Sequence, residues 1–173
     1  MRHEILTLNL TNLENVEKVE YYLEKSNFVY CFENPSMFYA VTRQLPWIAA
    51  ICTSGQINLA AYILMDALVK SNYKLLYCGD FDPEGLLIAD KLRKRYRQSI
   101  EFVGYTKTLY QKAISNNILS QNRIKQLERL SSKDFEEVSQ EILLNKKAGY
   151  QEHIIDEIID IIRTQKPSPM TDT

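Results

Sequence analysis

Asp80, Asp82 and Glu84 lie within five residues of one another in LLYCGDFDPEGLLIAD (75–90), where an apolar run gives way to a helical pattern. Glu33 stands at the end of a second apolar run, FVYCF (28–32). Gathering such carboxylates at a partly buried site costs repulsion on the order of 1 kcal/mol or more per pair, unless a proton or a cation compensates. An oxygen-only set fits Mg²⁺ or Mn²⁺, which keep several waters and take phosphate oxygens on the remaining positions. One or two such ions would polarise a phosphate, activate water and stabilise the leaving oxygen. Glu33, Asp80 and Asp82 are therefore the catalytic and metal-ligand candidates, with Glu84 a further candidate ligand. Plainer readings stand beside this. Asp82-Pro83-Glu84 is a good helix start, with aspartate as cap, proline at the first position and an acid in the first turn. Glu33-Asn34-Pro35-Ser36 reads equally as a strand-to-helix turn. A cap needs only one acid, which leaves Asp80 and Glu33 unexplained.

Other residues are less specific. Thr53-Ser54-Gly55-Gln56 is a small-residue turn before a helix, and Ser54 and Gly55 could offer N–H groups to an anion, or simply make a tight turn. Lys91, Arg93, Lys94, Arg95 and Arg97 could touch a phosphate backbone, yet they also sit where a helix C-terminus favours cations. Lys107 is a phosphate-contact candidate of the same weak kind. Tyr105 and Tyr110 are conceivable nucleophiles without a supporting motif, and His3 and His153 lack neighbours for a metal or triad assignment.

The elements that must position the acids follow from periodicity. FVYCF (28–32), WIAAICT (47–53), KLLYC (74–78) and IEFVGY (100–105) are apolar throughout, as strands covered on both faces are. PSMFYAVTRQL, QINLAAYILMDALVKS and EGLLIADKLRKRY between them have helical length and pattern. EILTLNL is a predicted edge strand and TNLENVEKVEYYLEKS a predicted amphipathic helix. This alternation predicts an α/β fold with a mainly parallel four-stranded sheet flanked by helices. All strands of such a sheet end on one edge, so Glu33, Asp80 and Ser54-Gly55 should gather there, where open α/β sheets bind ligands. Cys31 and Cys78 each precede an acid by two residues, which places Glu33 and Asp80 at equivalent points of their strands. From about residue 108, TLYQKAISNNI, SQNRIKQLERL, SKDFEEVSQEILLNKKAG and YQEHIIDEIIDIIRT all read as helices. The expected organisation is a core over 1–107, a helical extension over 108–165 packed on it, and a polar tail over 166–173.

The bulk numbers exclude several classes. With 173 residues, 45% hydrophobic and 25% charged, the chain matches one globular domain with a real core. Its apolar runs are too short to span a bilayer, and MRHEILTLNL shows no basic-then-apolar leader, so a cytoplasmic protein is expected. Cys31, Cys52 and Cys78, odd in number and spaced unlike zinc ligands, read as reduced buried thiols. A net charge of −1 gives no global attraction to nucleic acid, so any such binding must be local or through a cation.

VYCFENP, CTSGQ and YCGDFDPEG together resemble the toprim domain of topoisomerases, primases and several nucleases. GDFDPEGLLIADKL is closer to the carboxy-terminal toprim domain of JetD-like proteins, nuclease subunits of Wadjet plasmid-defence systems; ILTLNLTNL and AGYQEHIIDEI also resemble that family. The resemblance implies a toprim (Rossmann-like) fold, with Glu33, Asp80 and Asp82 holding Mg²⁺ or Mn²⁺, Glu84 assisting, and Glu152 as a late acidic position. It implies cleavage of double-stranded plasmid or phage DNA, with other defence-complex subunits or an amino-terminal DNA-binding region as partners. Two rivals remain. DFDPE is similar to the DxD of haloacid-dehalogenase-type phosphatases acting on small phosphate esters. A toprim-like scaffold that binds DNA or protein without cutting is the other.

Overall fold

The computed structural model describes residues 6–16, 18–19 and 27–165. A short helix α1 (Leu10–Leu13) precedes β1 (Phe28–Phe32), α2 (Pro35–Gln44), β2 (Ala50–Cys52), α3 (Leu59–Lys70), β3 (Lys74–Cys78), α4 (Pro83–Tyr96) and β4 (Ile100–Phe102). The strands form one sheet in the order β2-β1-β3-β4, and every pairing is parallel. The four apolar runs are thus the four strands of a Rossmann-like α/β fold. Each helix starts where a side chain can hold its first free N–H groups. Asn34 caps α2 ahead of Pro35, Asn58 caps α3 through Ala61, and Asp82 caps α4 ahead of Pro83. From β1 the chain crosses through α2 to β2 on one side, then returns through α3 to β3 on the other. The strand order therefore reverses between β1 and β3. That point is where the ends of neighbouring strands leave a crevice.

The chain continues through α5 (Lys107–Ala113), β5 (Ile114–Ile118), α6 (Gln121–Ile124), α7 (Glu136–Asn145), β6 (Lys147–Gly149) and α8 (Ile155–Thr164). The all-helical expectation for this region is corrected by β5 and β6, which pair antiparallel as a second, two-stranded sheet. In ISNNI the helical pattern ends at Ala113, and the Ser115 hydroxyl donates to the Ala148 carbonyl at 2.8 Å. SQNRIKQLERL keeps only four α-helical residues before a 3-10 turn over Lys125–Arg129. The last helix packs as expected of the extension: Ile158, Ile159 and Ile162 are buried, and α8 packs on α2.

The expected edge strand EILTLNL is also corrected. Its described part, 6–10, is not a strand: Leu10 already belongs to α1, and Asn9 and Asn12 cap each other's backbone N–H at its start. Half of the helix expected after it, residues 17 and 20–26, lies outside the described residues, as does the expected tail over 166–173. No helix among the described residues is long and apolar enough to cross a membrane.

Candidate metal centre

Register decides how the acids meet. Phe32 pairs with Cys78, so Glu33 is level with Gly79 rather than Asp80, and its N–H donates to the Cys78 carbonyl at 2.9 Å. The equivalence expected from Cys31 and Cys78 is therefore wrong by one residue. The offset carries the Glu33 side chain across the Gly79 backbone. A Cβ on Gly79 would lie 2.5 Å from Glu33 Oε2, 2.8 Å from Tyr105 Oη and 2.8 Å from Tyr77 Cε1. Only glycine leaves that space, and Tyr77 Oη donates to Glu33 Oε2 at 3.1 Å.

Asp80 and Asp82 flank Phe81, whose ring is fully buried. Phe81 exchanges both backbone hydrogen bonds with Gly149 of β6 at 2.9 Å each, which holds this stretch extended. In extended backbone the two aspartates fall on the side opposite Phe81. The same β6 then delivers Gln151, whose N–H donates to Asp80 Oδ1 at 3.0 Å. Glu152 follows and accepts from the Asn34 amide beside Glu33. The late acidic position thus does reach the acid edge, through a contact across 118 residues.

Burial pushes Glu33 up to about 7; the Asp80 and Asp82 charges add to this, and the Tyr77 hydroxyl and Asp80 backbone oppose it. Burial likewise raises Asp80 to about 6, against the Gln151 N–H, with Glu152 and Asp82 adding and His153 opposing. Among the described residues no lysine or arginine forms an ion pair with either carboxylate, and His153 offsets the Asp80 charge only in part.

Asp82 and Glu84 are placed differently. Asp82 Oδ1 accepts from Gly85 N at 2.8 Å as the helix cap, while Oδ2 takes Arg123 Nη2 at 2.7 Å. Glu84 receives Arg123 Nε at 3.0 Å on both oxygens and Gln126 Nε2 at 3.0 Å. Against partial burial, these bonds hold Glu84 below the usual carboxylate range. Glu84 is thus turned to Arg123, away from the role of ligand. Both readings of Asp82 hold together: it caps α4 and sits beside Asp80. Arg123→Ala should lower the urea-unfolding free energy by about 1–2 kcal/mol, since it strips a part-buried cap of its cation. Arg123→Lys should recover only part of that, because one ammonium cannot span two carboxylates.

The cationic candidates are mostly engaged in structure. Arg93 pairs with Asp134 at 2.5 Å, Lys94 with Asp90 at 2.8 Å and Lys107 with Glu141 at 2.6 Å. Arg95 pairs with Asp66, while Lys91 is exposed on α4. Ser54 and Gly55 take positive φ, 55° and 83°, at the end of β2, but α3 begins only at Leu59. Their turn is no helix N-terminus, and the Gly55 N–H is used on the Glu33 carbonyl at 2.9 Å. Tyr110 is fully buried and donates to the Lys147 carbonyl at 2.8 Å, and Tyr105 is buried too, so neither is placed as a nucleophile.

Gly79, Tyr77, Arg123 and Gln151 are the site residues that sequence reasoning missed. The glycine between a buried strand and an acid in YCGD was the one available signal. Among the described residues, no three His, Cys, Asp or Glu side chains close into a ready-made metal cage. What stands at the edge is an open pair, Glu33 and Asp80, with Asp82 and Glu152 beside it. Such oxygen-only, uncompensated donors fit a divalent ion that retains water and leaves positions for phosphate.

No curated protein matches the chain. A family model described as "Protein of unknown function C-terminus (DUF2399)" matches residues 6–162. With nearly all of its length covered by that match, the chain belongs to the DUF2399 family.

Proposed function

We propose that this chain is a metal-dependent DNA endonuclease module of toprim type, part of a plasmid- or phage-defence protein or complex. The observation that carries the reading is the meeting of Glu33 and Asp80 at the β1/β3 switch point, with no lysine or arginine paired to either among the described residues. The family match is in keeping with it, since JetD-like proteins carry this domain at their carboxy-terminus.

In this reading Glu33 and Asp80 hold Mg²⁺ or Mn²⁺, with Asp82 at the border of the site. The ion supplies charge neutralisation at the scissile phosphate and acidifies a bound water. Tyr77 fixes the Glu33 carboxylate, the Gln151 N–H fixes Asp80, and Arg123 orients Asp82. Duplex DNA is the substrate; with a net charge of −1, engagement depends on the ion and on partner subunits or a DNA-binding region.

The test is nicking and linearisation of supercoiled plasmid with Mg²⁺ or Mn²⁺. Glu33→Ala and Asp80→Ala should each lower the rate by at least about 10³-fold, in the range expected when a preorganised electrostatic element is lost. Equal cleavage by the parent and both variants would place the activity elsewhere. Turnover of small phosphate esters without DNA cleavage would point to the phosphatase chemistry instead.

A further inference from the structure

Tyr105 lies in the loop after β4, next to Gly104, whose φ is +86°. Its ring is held edge-on by Phe81, Phe102 and Phe135, with centroids at 5.6, 5.7 and 5.3 Å. The residue is only 8% exposed, and Oη is buried without a hydrogen-bond partner among the described residues. Buried hydroxyls are rarely left so, because an unmade bond costs the full desolvation of the group.

The direction of this hydroxyl is informative. Oη lies 2.8 Å from the place a Cβ would take on Gly79, and Glu33 Oε2 lies 2.5 Å from the same place. Both oxygens therefore border the gap that glycine leaves, and no hydrogen bond joins them. Tyr77 approaches the same gap and already donates to Oε2. Packing pins the Tyr105 ring, whereas Glu33 turns on three side-chain bonds, so Glu33 is the partner free to move. A second orphan stands on the other acid's support. The Gln151 carboxamide is fully buried and unpartnered, although its own N–H holds Asp80. Both acids are thus backed by polar groups whose bonds are incomplete when no ion is present.

We propose that Tyr105 is a positioning residue for the acid edge, whose hydroxyl donates to Glu33 when that carboxylate turns to share a divalent cation with Asp80. Cation binding then completes a hydrogen bond that is missing without it. This rests on the metal reading above. It also gives Tyr105 opposite effects in the two states. Without the ion the hydroxyl is a burden, and with the ion it is a bond.

Tyr105→Phe in the whole chain separates the two. Mn²⁺ is titrated by calorimetry and by the EPR signal of free Mn²⁺, and Tm is recorded with and without it. The variant should bind Mn²⁺ about tenfold more weakly, about 1.4 kcal/mol, while its metal-free Tm stays equal to the parent's or rises. Tyr77→Phe is the comparison; it removes a bond that exists without metal and should lower the metal-free Tm. Parental Mn²⁺ affinity in Tyr105→Phe overturns the inference alone, as does an equal loss of Tm with and without Mn²⁺. Absence of Mn²⁺ binding by the parent protein overturns the metal reading and this inference with it.

Discussion

Glu33→Gln is expected to be more stable than the parent protein at pH 8 without metal, and to have lost plasmid cleavage. The two effects share a cause. Burial, with the Asp80 charge adding, raises the folded Glu33 to about 7 from an ordinary value of 4.5. The folded state then binds a proton that the unfolded chain has already released. The stability this contributes is fully present below about pH 4.5 and is lost as pH rises through about 7. For Asp80 the window runs from 3.8 to about 6. At about 1.36 kcal/mol per unit, Glu33 alone accounts for a loss on the order of 3 kcal/mol by pH 8, and the coupled Asp80 makes the two losses less than additive. Glutamine keeps the shape and can accept from Tyr77, yet needs no proton. Urea unfolding at pH 5 and pH 8 checks this. The parent should weaken by clearly more between them than the variant, in which only Asp80 still contributes, and Mg²⁺ should rescue chiefly the parent at pH 8. A parent whose stability is flat across that range would count against the buried, uncompensated acids.

Gly79→Ala should damage both the fold and the acid edge through a single added methyl. No positive φ is involved at this position; the obstacle is space alone. The new Cβ would meet Glu33 Oε2 at 2.5 Å and Tyr105 Oη and Tyr77 Cε1 at 2.8 Å. Tyr77 lies in a central strand with its ring fully buried, and Tyr105 is wedged among aromatic rings, so neither can retreat cheaply. Glu33 can move, but only by leaving the position that pairs it with Asp80. The expected cost is about 2–3 kcal/mol in denaturant unfolding, as for overpacking elsewhere. Mn²⁺ affinity and cleavage should each fall at least about 100-fold, the loss expected when a reacting geometry shifts by about 1 Å. An alanine variant with the parent's midpoint and Mn²⁺ affinity would show that the Glu33 position over Gly79 is dispensable.

These two residues illustrate what could be read without coordinates. Glu33 was legible because FVYCF and KLLYC are apolar throughout, which marks parallel strands whose ends share an edge. Gly79 was not singled out, since its role depends on register, and register is a property of two strands aligned in space. Arg123 lies in a four-residue helix with no periodic stripe, so nothing local announces that it reaches Asp82 and Glu84. β5 and β6 were missed for a related reason. ISNNI and KAG are polar and short, and they become strands only through pairing with each other across the intervening helices. Glu84 fitted the acidic cluster by spacing but lost that place to a cation 39 residues away.

The bridge between Phe81 and Gly149 bears on when the acid edge comes into being. Asp80 finds its backbone partner 71 residues downstream, and Asn34 finds Glu152 after 118. At roughly 5–20 residues per second of synthesis, Asp80 waits several seconds for Gln151 to be made. During that interval β1 and β3 can pair, but Phe81 has nothing to bind and the carboxylates stay hydrated. Assembly of the edge is therefore coupled to synthesis of β6 and Gln151. Under the nuclease function proposed above, that ordering withholds the acid edge until β6 and Gln151 have been made.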